Sequence, residues 1–101
     1  MSNIKEVKED TFESEVLKST ETVIVDFFGS WCQPCKKMLP VLEQFQDSNG
    51  VKIVKVDIDE SPMLAKTYGI RSVPTLISFK DGKVLKTLVG VANAAKIETL
   101  I

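Results

Sequence analysis

Val23-Ile24-Val25-Asp26-Phe27-Phe28-Gly29-Ser30-Trp31-Cys32-Gln33-Pro34-Cys35-Lys36 decides how this chain is read. Thr22 to Phe28 is apolar at both alternating sets of positions, as in a central strand covered on both faces. Both cysteines of the protein follow, with two residues between them. Beyond them Cys35, Met38, Leu39, Leu42 and Phe45 fall at helical spacing. The stretch is a strand, a tight turn carrying two thiols, and a helix. A helix N-terminus offers free backbone N–H groups and a partial positive charge, and both favour a thiolate over a thiol.

Downstream, Pro40 sits inside the helix and is expected to bend it, and Asn49-Gly50 is a stop signal. Val51 to Ile58 is a second β-rich run. Ser61-Pro62 starts a short helix, with a hydroxyl cap before proline at the first helical position; Gly69 ends it. Thr75 to Phe79 and Val84 to Val89 read as strands joined by Lys80-Asp81-Gly82-Lys83, a hairpin with Asp-Gly at its centre. Asn93 caps a last helix through Ile97, Leu100 and Ile101. Upstream, Asn3 to Val7 is a candidate first strand. Asp10 is a candidate N-cap with Glu13 completing a capping box, and Phe12, Val16 and Leu17 form one helical face. The order βαβαβαββα predicts an α/β fold: a central five-stranded mixed sheet flanked by four α-helices. No repeat or linker interrupts it, so residues 1–101 are read as one domain.

The bulk composition excludes several classes. The 101 residues suffice for one hydrophobic core. A formal net charge of −1 gives no basic field for nucleic acid. No apolar run approaches the roughly 20 residues that span a bilayer, and the stretch from Met1 to Glu6 has no signal-peptide core. A cytoplasmic location is the expectation, and there a cysteine pair is more often catalytic or metal-binding than structural. The chain has no histidine, which removes Cys-His proteases, His-ligated zinc and histidine acid–base chemistry.

On the residues alone, Cys32 and Cys35 have three readings: a redox dithiol, half of a zinc site, or two small core residues. Asp26 interrupts an apolar strand. A carboxylate buried there is expected to hold its proton toward neutral pH, which makes it a candidate proton carrier. Lys55 reads as a surface lysine with a packed stem, Gly90 as a strand-to-helix turn, and Pro74 as an ordinary trans proline at a strand start. Trp31, beside the reactive turn, is expected to be partly exposed and to face a partner. Lys36 and Lys37 follow as solvated cations, the first near enough to favour a thiolate.

Val25 to Lys36 resembles the active-site segment of the thioredoxin family. Lys55-Val56-Asp57-Ile58-Asp59, Tyr68-Gly69-Ile70-Arg71-Ser72-Val73-Pro74-Thr75-Leu76 and Phe79-Lys80-Asp81-Gly82 also resemble that family, in the right order, so the likeness covers nearly the whole chain. It implies the thioredoxin fold and a protein-disulfide reductase that maintains redox homeostasis. It implies a catalytic set of Cys32, Cys35, Asp26 and Lys55, with a redox disulfide Cys32–Cys35. Cys32, expected to be the more exposed sulfur, attacks the substrate, and Cys35 resolves the mixed disulfide. Asp26 lies beneath Cys35 and assists its deprotonation, and Lys55 modulates Asp26.

The resemblance further makes Pro74 a cis proline facing the cysteines. There it blocks metal capture and exposes the Val73 backbone for strand-like pairing with a client. Gly90 lets that client approach, and Trp31, Gln33 and Pro34 complete its binding surface. The implied partners are disulfide-containing proteins and a flavin-dependent thioredoxin reductase. No bound cofactor, metal, nucleic acid or membrane is called for, and a monomer is expected. Two departures stand out. Gln33 replaces the usual glycine between the cysteines, where it bears on redox potential and partner choice, and Phe28 replaces a common tryptophan. The spacer lacks the histidine of isomerases and strong oxidants, which argues for a reductant. A rigid structural subunit with incidental thiols, and a dedicated donor to one enzyme, stay open as rival classes.

Overall fold

In the computed structural model, which describes residues 3–101, the elements in chain order are β1 (Lys5–Glu6), a helical turn (Glu13–Leu17), β2 (Val23–Phe28), α1 (Gln33–Asn49), β3 (Lys52–Asp57), α2 (Pro62–Thr67), β4 (Thr75–Lys80), β5 (Lys83–Val89) and α3 (Ala94–Glu98). The five strands form one sheet in the order β1-β3-β2-β4-β5. β1, β3 and β2 run parallel, and β4 and β5 are antiparallel additions. The expected five-stranded mixed sheet is what forms.

β2 lies at the centre because both of its faces are apolar and both are covered. Ile24 packs with Met38, Leu42, Ile53, Leu76 and Ile97 on the face that carries α1 and α3. Val25 and Phe27 pack with Val16, Val54, Ile77 and Phe79 on the other. There Phe12, Tyr68 and Phe79 form a ring cluster with centroids 5.2 to 5.6 Å apart, the spacing at which edge-to-face aromatic pairs attract.

Strand alternation also places the polar groups. On the α1 face β2 presents Ile24, Asp26 and Phe28, while β3 presents Ile53, Lys55 and Asp57. Their registers pair Asp26 with Lys55 and Phe28 with Asp57. The early residues make core. The later ones bring charge to the carboxyl ends of two parallel strands, where α1 begins.

α1 starts at the cysteines and ends where Gly50, at φ 64°, takes the left-handed conformation glycine adopts freely. Pro40 lies exposed within it. Asp81 and Gly82, at φ 53° and 78°, supply the two positive φ values of a two-residue type I′ hairpin. Asn93 caps α3 by accepting from the Lys96 amide at 2.9 Å.

Three local expectations are corrected. The flanking helices are not all α: Glu13–Leu17 is a single π turn, in which Lys18 N donates to Glu13 O, beside three α-helices. Asp10 does not cap it. Phe12 holds that position without a side-chain bond, because its ring is committed to the core, and the chain already turns at Lys8, whose carbonyl accepts from Thr11 N and Phe12 N. Ser61 does precede α2, but its hydroxyl caps nothing. The Met63 amide instead donates to the Glu9 carboxylate at 2.6 Å.

Ser61 Oγ is therefore buried without a partner. Ser61→Ala removes a polar atom that forms no bond, so urea unfolding should show it unchanged or more stable by up to about 1 kcal/mol. A loss of more than about 1 kcal/mol would mean that the hydroxyl is bonded in solution.

Candidate active site around the Cys32–Cys35 pair

Cys32 is the N-cap residue of α1, with extended backbone (φ −89°, ψ 107°). Its Sγ accepts from the Cys35 amide at 3.2 Å. Gln33 and Pro34 occupy the first two helical positions, where proline's missing N–H leaves no helical bond unmade. Cys32 is thereby held at the positive end of a 17-residue helix, with an N–H aimed at its sulfur. Both features stabilise negative charge on that atom. Cys32 and Cys35 are joined as a disulfide, with Cα atoms 5.3 Å apart.

The expected difference in exposure between the sulfurs is not present in this disulfide form. Cys32 is 4% exposed and Cys35 3%. Surroundings distinguish them instead. Cys32 Sγ lies 3.9 Å from the Val73 carbonyl oxygen, at the outer rim. Cys35 turns inward onto a cavity of about 250 Å³ that it shares with Asp26, Phe28, Lys36, Leu39 and Lys55.

Asp26 is 1% exposed, and its Oδ1 has no hydrogen-bond partner. Burial pushes its carboxyl up to about 7, against an opposing pull from the Lys55 ammonium. Lys55 is half-buried rather than a free surface lysine. Its ammonium lies 5.7 Å from the centroid of the Phe28 ring, within cation–π range. The strand register places it opposite Asp26.

Val73-Pro74 is a cis peptide bond, as the resemblance implied and the base rate did not. Val73 enters none of the turn and loop main-chain bonds among the described residues. Pro74 O accepts from Gly90 N at 2.8 Å, which draws Gly90 to the same rim. Gly90 has φ 97°, and a side chain there would meet no atom within 4 Å. Backbone conformation, not crowding within the chain, demands glycine.

Trp31 is 62% exposed. Its ring lies over Gly29, where an added Cβ would come within 2.6 Å of it. Trp31 Nε1 donates to Asp59 Oδ2 at 2.9 Å. Asp59 was not singled out from sequence. The sequence carried no signal for it, because an exposed indole N–H can be satisfied by water as well as by a side chain. Asp57, two residues earlier, accepts from the amides of Asp59 and Glu60 at 2.8 and 3.3 Å and shapes that turn. Among the described residues no group of three metal-ligating side chains exists, so the zinc reading finds no third ligand here.

A helix-capped disulfide beside a cis proline and above a buried acid is a dithiol exchange centre. The sequence model of the family described as Thioredoxin matches residues 3–101. The chain belongs to the thioredoxin family. It is 44% identical to a thioredoxin of Streptomyces clavuligerus over 93% of its own length and 89% of the relative's. It is 49% identical to thioredoxin 1 of Synechococcus elongatus over 89% and 86%. Among solved structures it is similar to a mutant thioredoxin from Halobacterium salinarum, with a TM-score of 0.87 and 34% identity, over 96% of this chain and 86% of that one. The protein is a thiol–disulfide oxidoreductase of the thioredoxin type, and the reaction is reduction of protein disulfides. Disulfide-containing proteins and a reductase that restores the dithiol are its general classes of partner.

Proposed function

We propose that residues 1–101 form a single thioredoxin domain and act as a cytoplasmic, monomeric general reductase of client disulfides, with a separate role for each sulfur. The Cys32 thiolate attacks one client sulfur. The client S–S bond breaks, a Cys32–client bond forms, and the other client sulfur leaves as thiolate and takes a proton from water. Cys35 then gives its proton to Asp26, directly or through water in the shared cavity. Its thiolate attacks Cys32 Sγ, the mixed disulfide breaks, and the client leaves with both sulfurs reduced. Two electrons have passed from the dithiol to the client.

The observation that carries this reading is that Asp26 and Cys35 line one cavity that Cys32 does not line, while Cys32 Sγ lies beside the Val73 carbonyl. Asp26 is the proton acceptor and Lys55 sets its charge. Trp31, Gln33, Pro34, Val73, Pro74 and Gly90 form the client surface. Val73 offers backbone groups that a client strand can pair with. A flavin-dependent thioredoxin reductase returns the two electrons. Among the described residues no helix is long and apolar enough to cross a membrane.

The test is insulin reduction. Catalytic amounts of the protein should accelerate dithiothreitol-driven precipitation of insulin, and a flavoenzyme thioredoxin reductase with its own electron donor should replace dithiothreitol. No acceleration under dithiothreitol would overturn the general reductase in favour of a donor dedicated to one enzyme or a structural subunit.

A further inference from the structure

A second groove begins where the active site ends. It lies between the first turns of α1 and the Gly90–Asn93 loop and encloses about 230 Å³. That is smaller than the roughly 300–1,000 Å³ of sites that enclose a small-molecule ligand, and it suits a side chain of a polypeptide lying across it. Its floor is Met38 and Ala92, both buried. The floor is fixed: Ala92 N donates to Met38 Sδ at 3.4 Å, tying the loop to the helix.

The rim has a distinct chemistry. Val91 is 59% exposed, an apolar wall with nothing over it. Gln33 and Lys37 are exposed opposite. Lys37 takes part in none of the ion pairs found among the described residues. Near the amino end of α1 its charge gains nothing from the helix dipole, which favours cations at the opposite end. Lys36, the next cation, lines the Asp26 cavity instead. Gln33, which follows Cys32 directly in the chain, lines the groove, so the groove begins one residue from the nucleophile.

We propose that this groove is a client-selectivity subsite that takes an apolar side chain next to the client cysteine, with Lys37 pairing a carboxylate one position further along. The Gln33 amide bonds the client main chain between them. The preferred clients are therefore disulfides flanked by apolar and then acidic residues. This rests on the reductase reading above and narrows its substrate class.

The experiment uses the full reduced chain and two peptides, Glu-Leu-Cys-Leu-Glu and Lys-Leu-Cys-Leu-Lys, each activated as a mixed disulfide with thionitrobenzoate. Attack at the peptide sulfur releases the coloured thiolate, which reads the rate, and in Cys35→Ser, which cannot resolve the mixed disulfide, the peptide stays on Cys32 and the adduct can be read. At low salt the acidic peptide should react faster by roughly three- to tenfold, the range expected of a few exposed charge pairs. Lys37→Glu should invert that ratio, and about 0.5 M salt should shrink it toward one. Lys83→Glu makes the same charge change at the distant hairpin and should leave the ratio within about twofold of wild type. An unchanged ratio in Lys37→Glu, or an equal shift in Lys83→Glu, overturns the subsite. Failure of both peptides to release thionitrobenzoate from the reduced wild type would instead overturn the reductase reading itself.

Discussion

Cys32→Ser should reduce insulin at no more than the uncatalysed rate, a loss of roughly 10³-fold or more, since removing a covalent nucleophile elsewhere costs on the order of 10⁶ in kcat. Cys35→Ser should behave differently. It should attack once, release one equivalent of client thiol, and stop as a stable covalent adduct on Cys32 visible by mass spectrometry. The reason is positional. Cys32 Sγ sits at the helix start with the Cys35 N–H directed at it, which stabilises its thiolate, and it faces the rim formed by Val73. Cys35 lines the cavity that holds Asp26, so its proton has an acceptor close by. Exposure plays no part, because the two residues are almost equally buried. Full turnover by Cys32→Ser with a trapped adduct on Cys35 would reverse the roles. Sustained turnover by Cys35→Ser would remove the resolving step.

The strands were legible in the sequence because their signal is local: Val23 to Phe28 is apolar on both faces and is covered on both. The hairpin was legible because Asp81 and Gly82 are the residue types that tolerate positive φ. The π turn was not. Asp10 and Glu13 satisfy the local rule for a cap, but Phe12 and Val16 are drawn into a core built from β2, β3 and β4, and that packing decides how tightly the turn winds. Ser61 fails as a cap for a related reason, since Glu9, 54 residues before Met63, supplies the acceptor. At the site, the cysteines and Asp26 could be read from residue type and setting. The placement of Lys55 beside Asp26 came from family resemblance, since the residues alone read it as a surface lysine, and the strand register gives its physical reason; the Trp31–Asp59 bond needed the whole β3–α2 turn. The cis bond at Pro74 was visible only through family resemblance; X–Pro chemistry alone favours trans.

Asp26→Asn should make the oxidised protein more stable than wild type at pH 8 while slowing its chemistry. Asp26 has an ordinary value of 3.8 and is raised to about 7 in the fold by burial. Between those values the folded state keeps a proton that the unfolded chain has released, so raising the pH favours unfolding. The contribution of Asp26 to stability is thus greatest below about pH 4 and falls as pH rises to about 7. Some three pH units at about 1.36 kcal/mol each give a difference of roughly 4 kcal/mol. Asparagine does not titrate, so the variant should keep what the wild type loses. An unpartnered amide costs about 1–3 kcal/mol in return, leaving a net gain of about 1–3 kcal/mol near pH 8 and a deficit near pH 4. Urea unfolding of both proteins at the two pH values reads the difference, and a gap that does not change with pH would deny that the acid is buried and charged at the higher one. The same residue should matter to one chemical step only. Loss of the proton acceptor should slow release of the mixed disulfide by roughly 10²-fold or more and leave its formation within a few-fold of wild type. Equal slowing of both steps would mean that Asp26 acts through Cys32 or through the fold rather than on the Cys35 proton. The carboxylate that weakens the fold at neutral pH is thus the same group that lets Cys35 complete the exchange.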